Sequence, residues 1–285
     1  MQRCLLGLIY EDPAQDPWTG GKFDLNNRLL GRDWPLRAHS MIGKARMENL
    51  RGAIEYVLKE NVPGDFIETG IWRGGACILM RAVLAAYGVT DRVVWCADSF
   101  EGLPEPNAAL YPADAGDEHH TFAPLAVSLD EVQANFAHYG LLDERVRFLK
   151  GWFKDTLPGA PIARLAILRL DGDMYESTMD GLSALYAKVS PGGVVIVDDY
   201  GAVAACKQAV TDFRQAQQID EPIRDIDGNE RADASAPVRA RAHPQHPSAR
   251  VPAQRGICRT DQRVRGGVCD ARCAGRYYDE SAAAR

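Results

Sequence analysis

The chain has 285 residues and a formal net charge of −6 at pH 7. That length holds one large α/β domain or two small ones, and the composition, 46% hydrophobic and 25% charged, is that of an ordinary globular protein. The acidic balance argues against nucleic acid as the main partner, and seven scattered cysteines without a regular framework argue for reduced thiols rather than a disulfide scaffold.

The N-terminal apolar stretch Cys4 to Tyr10 is too short to span a membrane, which takes ~20 residues. Glu11-Asp12-Pro13 follows it with no small-residue cleavage pattern, so neither a signal peptide nor a membrane anchor is expected and a cytoplasmic protein is. Residues 1–40 are polar and turn-rich and read as an irregular cap. Met41 to Glu60 is a predicted helix, with Ile42, Ala45, Leu50, Ile54 and Val57 near helical period. After Pro63-Gly64, Asp65 to Glu68 is a short buried strand, and a turn with Gly70, Gly74 and Gly75 leads into a helix from Ala76 to Tyr87. Val93 to Ala97 is the next strand and ends at Asp98-Ser99. Residues 102–124 lack apolar periodicity, which marks a functional lid or a disordered stretch. A helix from Leu129 to Tyr139 and strands at 146–149, 165–170 and 194–197 follow, with helices at 177–189 and about 202–217 and an extended piece at 222–226. Alternating β and α segments of this kind make a parallel, doubly wound α/β sheet, a Rossmann-like fold.

The composition changes abruptly past Asp227-Gly228. Residues 230–285 contain eleven Arg and six acidic residues but no Lys, Leu or Phe, a net of +5 that leaves the body at −11. Such a tail buries little core and reads as disordered or non-native rather than as a basic nucleic-acid arm, because its Arg are dispersed without aromatic interleaving. Cys269 and Cys273 within it have a spacing that zinc sites use, but no second ligand pair accompanies them.

Two acidic clusters, Asp171-Gly172-Asp173 and Asp198-Asp199, each end an apolar strand. Ligands of open α/β sheets bind at the carboxyl ends of the strands. Four converging carboxylates repel one another unless a cation or a shared proton compensates. The pattern therefore predicts a divalent metal, Mg²⁺ by its preference for hard oxygen ligands, held by Asp171, Asp198 and Asp199, with Asp173 placed to take a proton from a hydroxyl. The competing reading is a set of helix N-caps and Asx-turns. The loop from Glu68 and Thr69 through Gly70 and Gly74 has the spacing acid-x-Gly-x-x-x-Gly, not that of a dinucleotide site. An acid at its head repels a pyrophosphate and attracts the ammonium and sulfonium of S-adenosylmethionine, while glycine lets a ligand approach the backbone; a tight βα turn with a capping acid is the plainer reading. Asp98, 28 positions after Gly70, is placed to accept ribose hydroxyls. Trp152 and Phe153, after the strand at 146–149, are placed to flank an adenine or simply to fill core. His119 and His120 read first as a solvated loop pair, and second as a base or substrate contact.

Several stretches resemble one family: Trp34-Pro35-Leu36-Arg37-Ala38-His39-Ser40-Met41-Ile42-Gly43, Glu68 to Gly75, Ala97-Asp98-Ser99-Phe100-Glu101-Gly102-Leu103-Pro104, Leu168 to Thr178 and Pro191 to Tyr200. They are similar to the magnesium-dependent macrocin O-methyltransferases, which methylate sugar hydroxyls of antibiotics and related natural products, and cover residues 1 to about 228. The resemblance implies a methyltransferase domain over 1–228 with residues 1–40 as its cap and 102–124 as a lid over the sugar, followed by the tail at 229–285. It implies Asp171, Asp198 and Asp199 as metal ligands and Asp173 as general base. Glu68, Gly70, Asp98 and Ser99 would hold S-adenosylmethionine, with Ser40 and Met41 at its methionine end. It also implies a glycosylated small-molecule substrate and a homodimer. The alternatives are a catechol- or diol-directed enzyme with the same carboxylates, and an inactive cofactor-binding remnant. The remnant reading arises because the family is expected to close with an aromatic, Trp-containing strand. Here Asn229-Glu230 opens the Arg/Ala/Pro tail instead, as a frame change or recombination would produce, and the neighbouring strand is expected to lose its partner.

Overall fold

The computed structural model describes residues 1–227 and 234–237. Its strands are β1 (Asp65–Thr69), β2 (Val94–Asp98), β3 (Val146–Lys150), β4 (Leu165–Leu170), β5 (Val189–Val197), β6 (Arg224–Asp225) and β7 (Ala234–Pro237). They form one sheet in the order β3-β2-β1-β4-β5-β7-β6. The first five are parallel, and β7 runs antiparallel to both β5 and β6. The helices are α1 (Gln2–Leu5), α2 (Leu25–Leu30), α3 (Gly43–Lys59), α4 (Gly75–Ala86), α5 (Leu129–His138), α6 (Phe153–Thr156), α7 (Tyr175–Leu185) and α8 (Ala204–Ala216). The expected doubly wound α/β class is what the chain adopts.

Successive side chains of a strand point to opposite faces, so the sheet carries two cores. Phe66, Val94 and Ile196 join Met47, Leu50, Ile54 and Val57 of α3 and the apolar face of α4 on one side. Ile67, Leu168, Leu170 and Val197 meet Leu182 and Leu185 of α7 and Val210 and Phe213 of α8 on the other. The i, i+3, i+4 spacing of the buried α3 residues is why that segment is helical and why one face of it is covered.

Three expectations change. The cap is not wholly irregular: α1 and α2 lie in it, Leu5 and Leu6 enter the core, and the buried Arg28 guanidinium donates to Asp33 at 2.8–3.0 Å and to the carbonyls of Leu6 and Asp12. The helix expected at 177–189 starts at Tyr175 and stops at Leu185, because a 3₁₀ turn at Tyr186–Lys188 hands the chain to β5 at Val189, well before Val194. Pro191-Gly192-Gly193 fits inside β5 because the ladder with β4 slips between Leu165 and Ile167. The third change concerns the sheet edge. The outer side of β5 is paired: Val194 to Val197 face Pro237 to Ala234 of β7, so an Ala-Ser-Ala-Pro segment occupies the place where an aromatic strand was expected.

The described residues all fall in one compact unit, Met1–Ala242. A second unit, His243–Arg285, lies outside the described residues, as do the Cys269–Cys273 pair and the reading of the tail as disordered. No helix among the described residues is long and apolar enough to cross a membrane, and the described cysteines, Cys4, Cys77, Cys96 and Cys206, are unpaired.

Candidate active site

The parallel ladder brings the motif residues to one level. Thr69 pairs with Ala97 and Leu170, Ala97 with Leu149, and Leu170 with Val197. The backbone ladder then continues one step past the strands. Gly70 N–H donates to Ala97 O (2.9 Å), Asp171 N–H to Thr69 O (2.9 Å), Asp198 N–H to Leu170 O (2.8 Å) and Gly151 N–H to Asp98 O (2.9 Å). Glu68, Asp98, Asp171 and Asp198 thus share one rim, at the switch point where β1 lies between β2 and β4.

One carboxylate oxygen from each of Asp171, Asp198 and Asp199 lies within 4.8 Å of the other two. Burial, reinforced by Asp198, holds the Asp171 carboxyl well above the ordinary carboxylate range, and burial together with Asp173 and Asp171 does the same to Asp199. Those shifts express a shortage of positive charge. Part of it is met by Arg169, only 1% exposed, which donates to Glu68, to Asp171 at 2.7 Å and to Asp198, and by Arg46, 2.6 Å from Asp198. A cluster of hard oxygen donors that remains this uncomfortable when ionised fits a divalent cation such as Mg²⁺. None of the four Asp caps a helix: the N-cap positions of α7 and α8 are Met174 and Val203. Asp173 has φ +56°, its N–H donates to Asp199 at 3.0 Å, and burial pushes its carboxyl up to about 6 despite the opposing pull of His119. Trp72 (φ +48°) and Phe100 (φ +58°) share this uncommon conformation, so the loops after β1, β2 and β4 all carry backbone strain at the same rim.

The rim opens into a cavity of about 420 Å³, the size of a small-ligand site. Of the residues singled out above, Ser40, Met41, Glu68, Gly70, Asp98, Ser99, Trp152, Phe153, Asp171, Asp173, Asp198 and Asp199 line it. Thr69 and Gly74 are not among its walls. Thr69 is buried and spends its carbonyl on Asp171, while Gly74, at φ +83°, begins α4 with Val132 and Phe136 packed over it. Gly70 also differs from expectation. The room left by its missing side chain is filled by the chain itself, since a Cβ there would lie 1.6 Å from the Asp171 carbonyl oxygen. Glu68 does not cap α4. It is 2% exposed, bound to Arg169 and to Cys77 Sγ (3.0 Å), and raised by burial. Both Asp98 oxygens accept backbone N–H groups, from Ile71 (2.8 Å) and Phe100 (2.7 Å), so Asp98 ties the glycine loop to β2; a carboxylate keeps further acceptor capacity beyond two such bonds.

Residues 102–124, expected as a lid, form a segment of short 3₁₀ turns, four of whose residues, Gly102, Leu103, Pro104 and His119, line the cavity. Asp114, 1% exposed, accepts from Tyr175 N–H (2.6 Å) and Glu176 N–H (3.0 Å) and so caps α7 from outside that helix. Trp72 Nε1 donates to Pro124 O at 2.9 Å and pins the other end. His119 is only partly solvated. Its Nδ1 sits 2.7 Å from Asp117, its ring packs edge-on against Phe122, and it lines the cavity, whereas His120 does not. Arg46, Arg169, Asp114 and the weight of His119 escaped sequence reasoning. Only Arg169, an arginine inside an otherwise apolar strand, carried a local signal.

The family profile described as "Macrocin-O-methyltransferase (TylF)" matches residues 2–231. The chain belongs to this family. It is thus an O-methyltransferase. A tetracenomycin 4'-O-methyltransferase of Streptomyces olivaceus, whose name specifies an 8-demethyl-8-(2,3-dimethoxy-alpha-L-rhamnosyl) substrate, is 55% identical over 230 residues, 80% of this chain and 88% of that protein. The demethyldecarbamoylnovobiocin O-methyltransferase of Streptomyces niveus is 53% identical over 234 residues, with the same two coverages of 80% and 88%. Among solved structures, the O-methyltransferase NovP superposes with a TM-score of 0.79 at 51% identity, covering 84% of this macrocin-type chain and 96% of its own.

Proposed function

We propose that this macrocin-family enzyme moves the methyl group of S-adenosylmethionine to a sugar hydroxyl of a glycosylated natural product, with Mg²⁺ held by Asp171, Asp198 and Asp199. The observation that carries the reading is the three-carboxylate cluster, whose oxygens lie within 4.8 Å of one another beside Asp173. The names of the relatives, a rhamnosyl-tetracenomycin enzyme and a novobiocin-type enzyme, support the acceptor class.

Mg²⁺ at such a cluster supplies Lewis acidity, which lowers the pKa of a coordinated hydroxyl. Asp173 receives the hydroxyl proton on a carboxylate oxygen; its own N–H bond to Asp199 at 3.0 Å holds it beside the cluster where that hydroxyl would lie. As the oxygen–methyl bond forms, the sulfur–methyl bond breaks and its electron pair stays on sulfur, leaving S-adenosylhomocysteine. Glu68 and Asp98 hold the donor from the ends of β1 and β2, with Ser99, Gly70, Trp152 and Phe153 around it and Ser40 and Met41 at its methionine end. Arg169 fixes Glu68 relative to Asp171 and Asp198, so the donor and acceptor sides are held in one frame.

Methyl transfer to a panel of glycosides and catechols, with and without EDTA, tests the proposal. Glycosides are expected to turn over and EDTA to abolish turnover. EDTA-insensitive transfer would sink the metal assignment, and transfer to catechols alone would sink the acceptor class. Asp173→Asn is expected to lower the rate by about 10²–10⁴-fold while calorimetric binding of S-adenosylhomocysteine stays within a factor of two. Full retained activity would remove Asp173 as the base.

A further inference from the structure

A row of four aromatic rings, three of which line the cavity, is contributed by two separate parts of the chain. Trp18 and Trp34 come from the N-terminal cap, and Phe122 and His119 from the lid. Trp18 packs edge-to-face on Trp34 (centroids 4.9 Å, 74°), Trp34 on Phe122 (5.5 Å, 75°) and Phe122 on His119 (6.1 Å, 71°). His119 lies at the inner end, close enough to Asp173 for each to feel the other's charge. Trp18 lies at the outer end. Trp18, Trp34 and His119 all line the same cavity as the acidic cluster.

Trp18 is 54% exposed while lining the cavity. The ring is nevertheless held firmly. Its Nε1 donates to Arg32 O at 3.1 Å, its backbone N–H donates to Asp16 at 3.2 Å, and Trp34 packs against it. A rigid, half-exposed indole at the mouth of a cavity can bind a flat apolar group at low entropic cost. No residue of the described chain uses that exposed part in a ring pair other than the one with Trp34.

We propose that Trp18 is the platform for the apolar aglycone of the acceptor, so that the row from His119 to Trp18 measures the acceptor outward from the methylated hydroxyl and selects glycosides that carry a ring beyond the sugar. This rests on the sugar-hydroxyl reading above. Trp18 is a specificity-determining residue in this scheme and takes no part in the chemistry.

The test uses the full chain and the sugar that turns over best in the acceptor panel, presented as its methyl glycoside and as its 2-naphthyl glycoside. The wild-type enzyme is expected to prefer the naphthyl glycoside in kcat/KM. Trp18→Ala is expected to cut that preference about tenfold through KM, the scale of one aromatic stack, with kcat and turnover of the methyl glycoside within twofold. Trp18→Phe, which keeps a ring, is expected to retain most of the preference. An unchanged ratio in Trp18→Ala overturns the proposal. So does an equal loss on both glycosides, which together with a lowered Tm would mark Trp18 as merely structural. If no glycoside is methylated by the wild type, the acceptor class itself fails, and this inference falls with it.

Discussion

At Gly70 the residue type is dictated by its own chain. With φ at +83° and the Asp171 carbonyl oxygen 1.6 Å from any added Cβ, even alanine forces β1 and β4 apart at the point where both deliver site residues. Gly70→Ala is expected to cost at least about 4 kcal/mol, the range of severe backbone and packing defects. Denaturant melts measure the loss, and wild-type stability would show that the loop yields freely. His119 shows the opposite dependence, on a partner rather than on space. The bond that its ring N–H gives to Asp117 raises its pKa above the ordinary 6.5, against the opposing effect of burial. A histidine raised on folding contributes stability that is fully present below about 6.5 and is lost as pH rises through the folded value. Wild type and His119→Gln should therefore differ more in Tm at pH 6 than at pH 9. Asp117→Asn should move the His119 titration, followed by NMR, to lower pH. The side chain is about a third exposed, so the stability effect is expected to be small.

Among the elements, the 102–124 segment is the one for which the sequence suggested a role, a lid, without showing how it is attached. Residues 102–124 have no periodicity, and that was enough to suggest a cover for a site. The attachment of that cover depends on Asp114 meeting two N–H groups of α7, a helix some 60 residues away along the chain. Asp114→Ala removes the α7 cap, worth about 0.5–2 kcal/mol, and frees the middle of the lid. Higher acceptor KM and faster proteolysis within 102–124 are the expected results; unchanged KM would separate the lid from acceptor binding. The strands and long helices were legible because alternation and helical period are local patterns, and β1 to β4 lie within a residue of their expected bounds. The start of β5 was not, because Pro191-Gly192-Gly193 breaks the pattern and is tolerated only through a ladder slip against β4. The short α1 and α2 were hidden because buried Arg28 and the core around Leu5 and Leu6, not propensity, hold them.

For the whole molecule, the decisive feature is the closure of the sheet beyond β5. The Arg/Ala/Pro composition after residue 228 made a missing final strand the natural expectation, yet Ala234–Pro237 pairs with both β5 and β6. Ladder bonds are made by the backbone, so a short segment of unremarkable side chains can fill the slot. Ending the chain at Gly228 exposes the β5 edge beside Asp198. At about 1 kcal/mol net per ladder bond this is expected to lower Tm by roughly 5–10 °C and to weaken Mn²⁺ binding. Ending it at Ala242, outside β7, is expected to leave both unchanged. Equal melting temperatures for the two truncations would remove β7 as a brace.

By itself, the sequence determined the α/β class, the places of β1 to β5 along the chain, the carboxylates at their ends and the family. These follow from side-chain patterns that repeat over a few residues, and from motifs in which chemistry restricts the residue type. Only the tertiary structure decided that Gly70 makes room for Asp171, that Arg169 and Arg46 share the charge of the acidic cluster, and that Asp114 and Trp72 fasten the 102–124 segment. It also decided that His119 and Trp18 face one cavity and that β5 has an outer partner. Each of these depends on groups distant along the chain meeting at a distance set by strand register and packing, which no local pattern encodes.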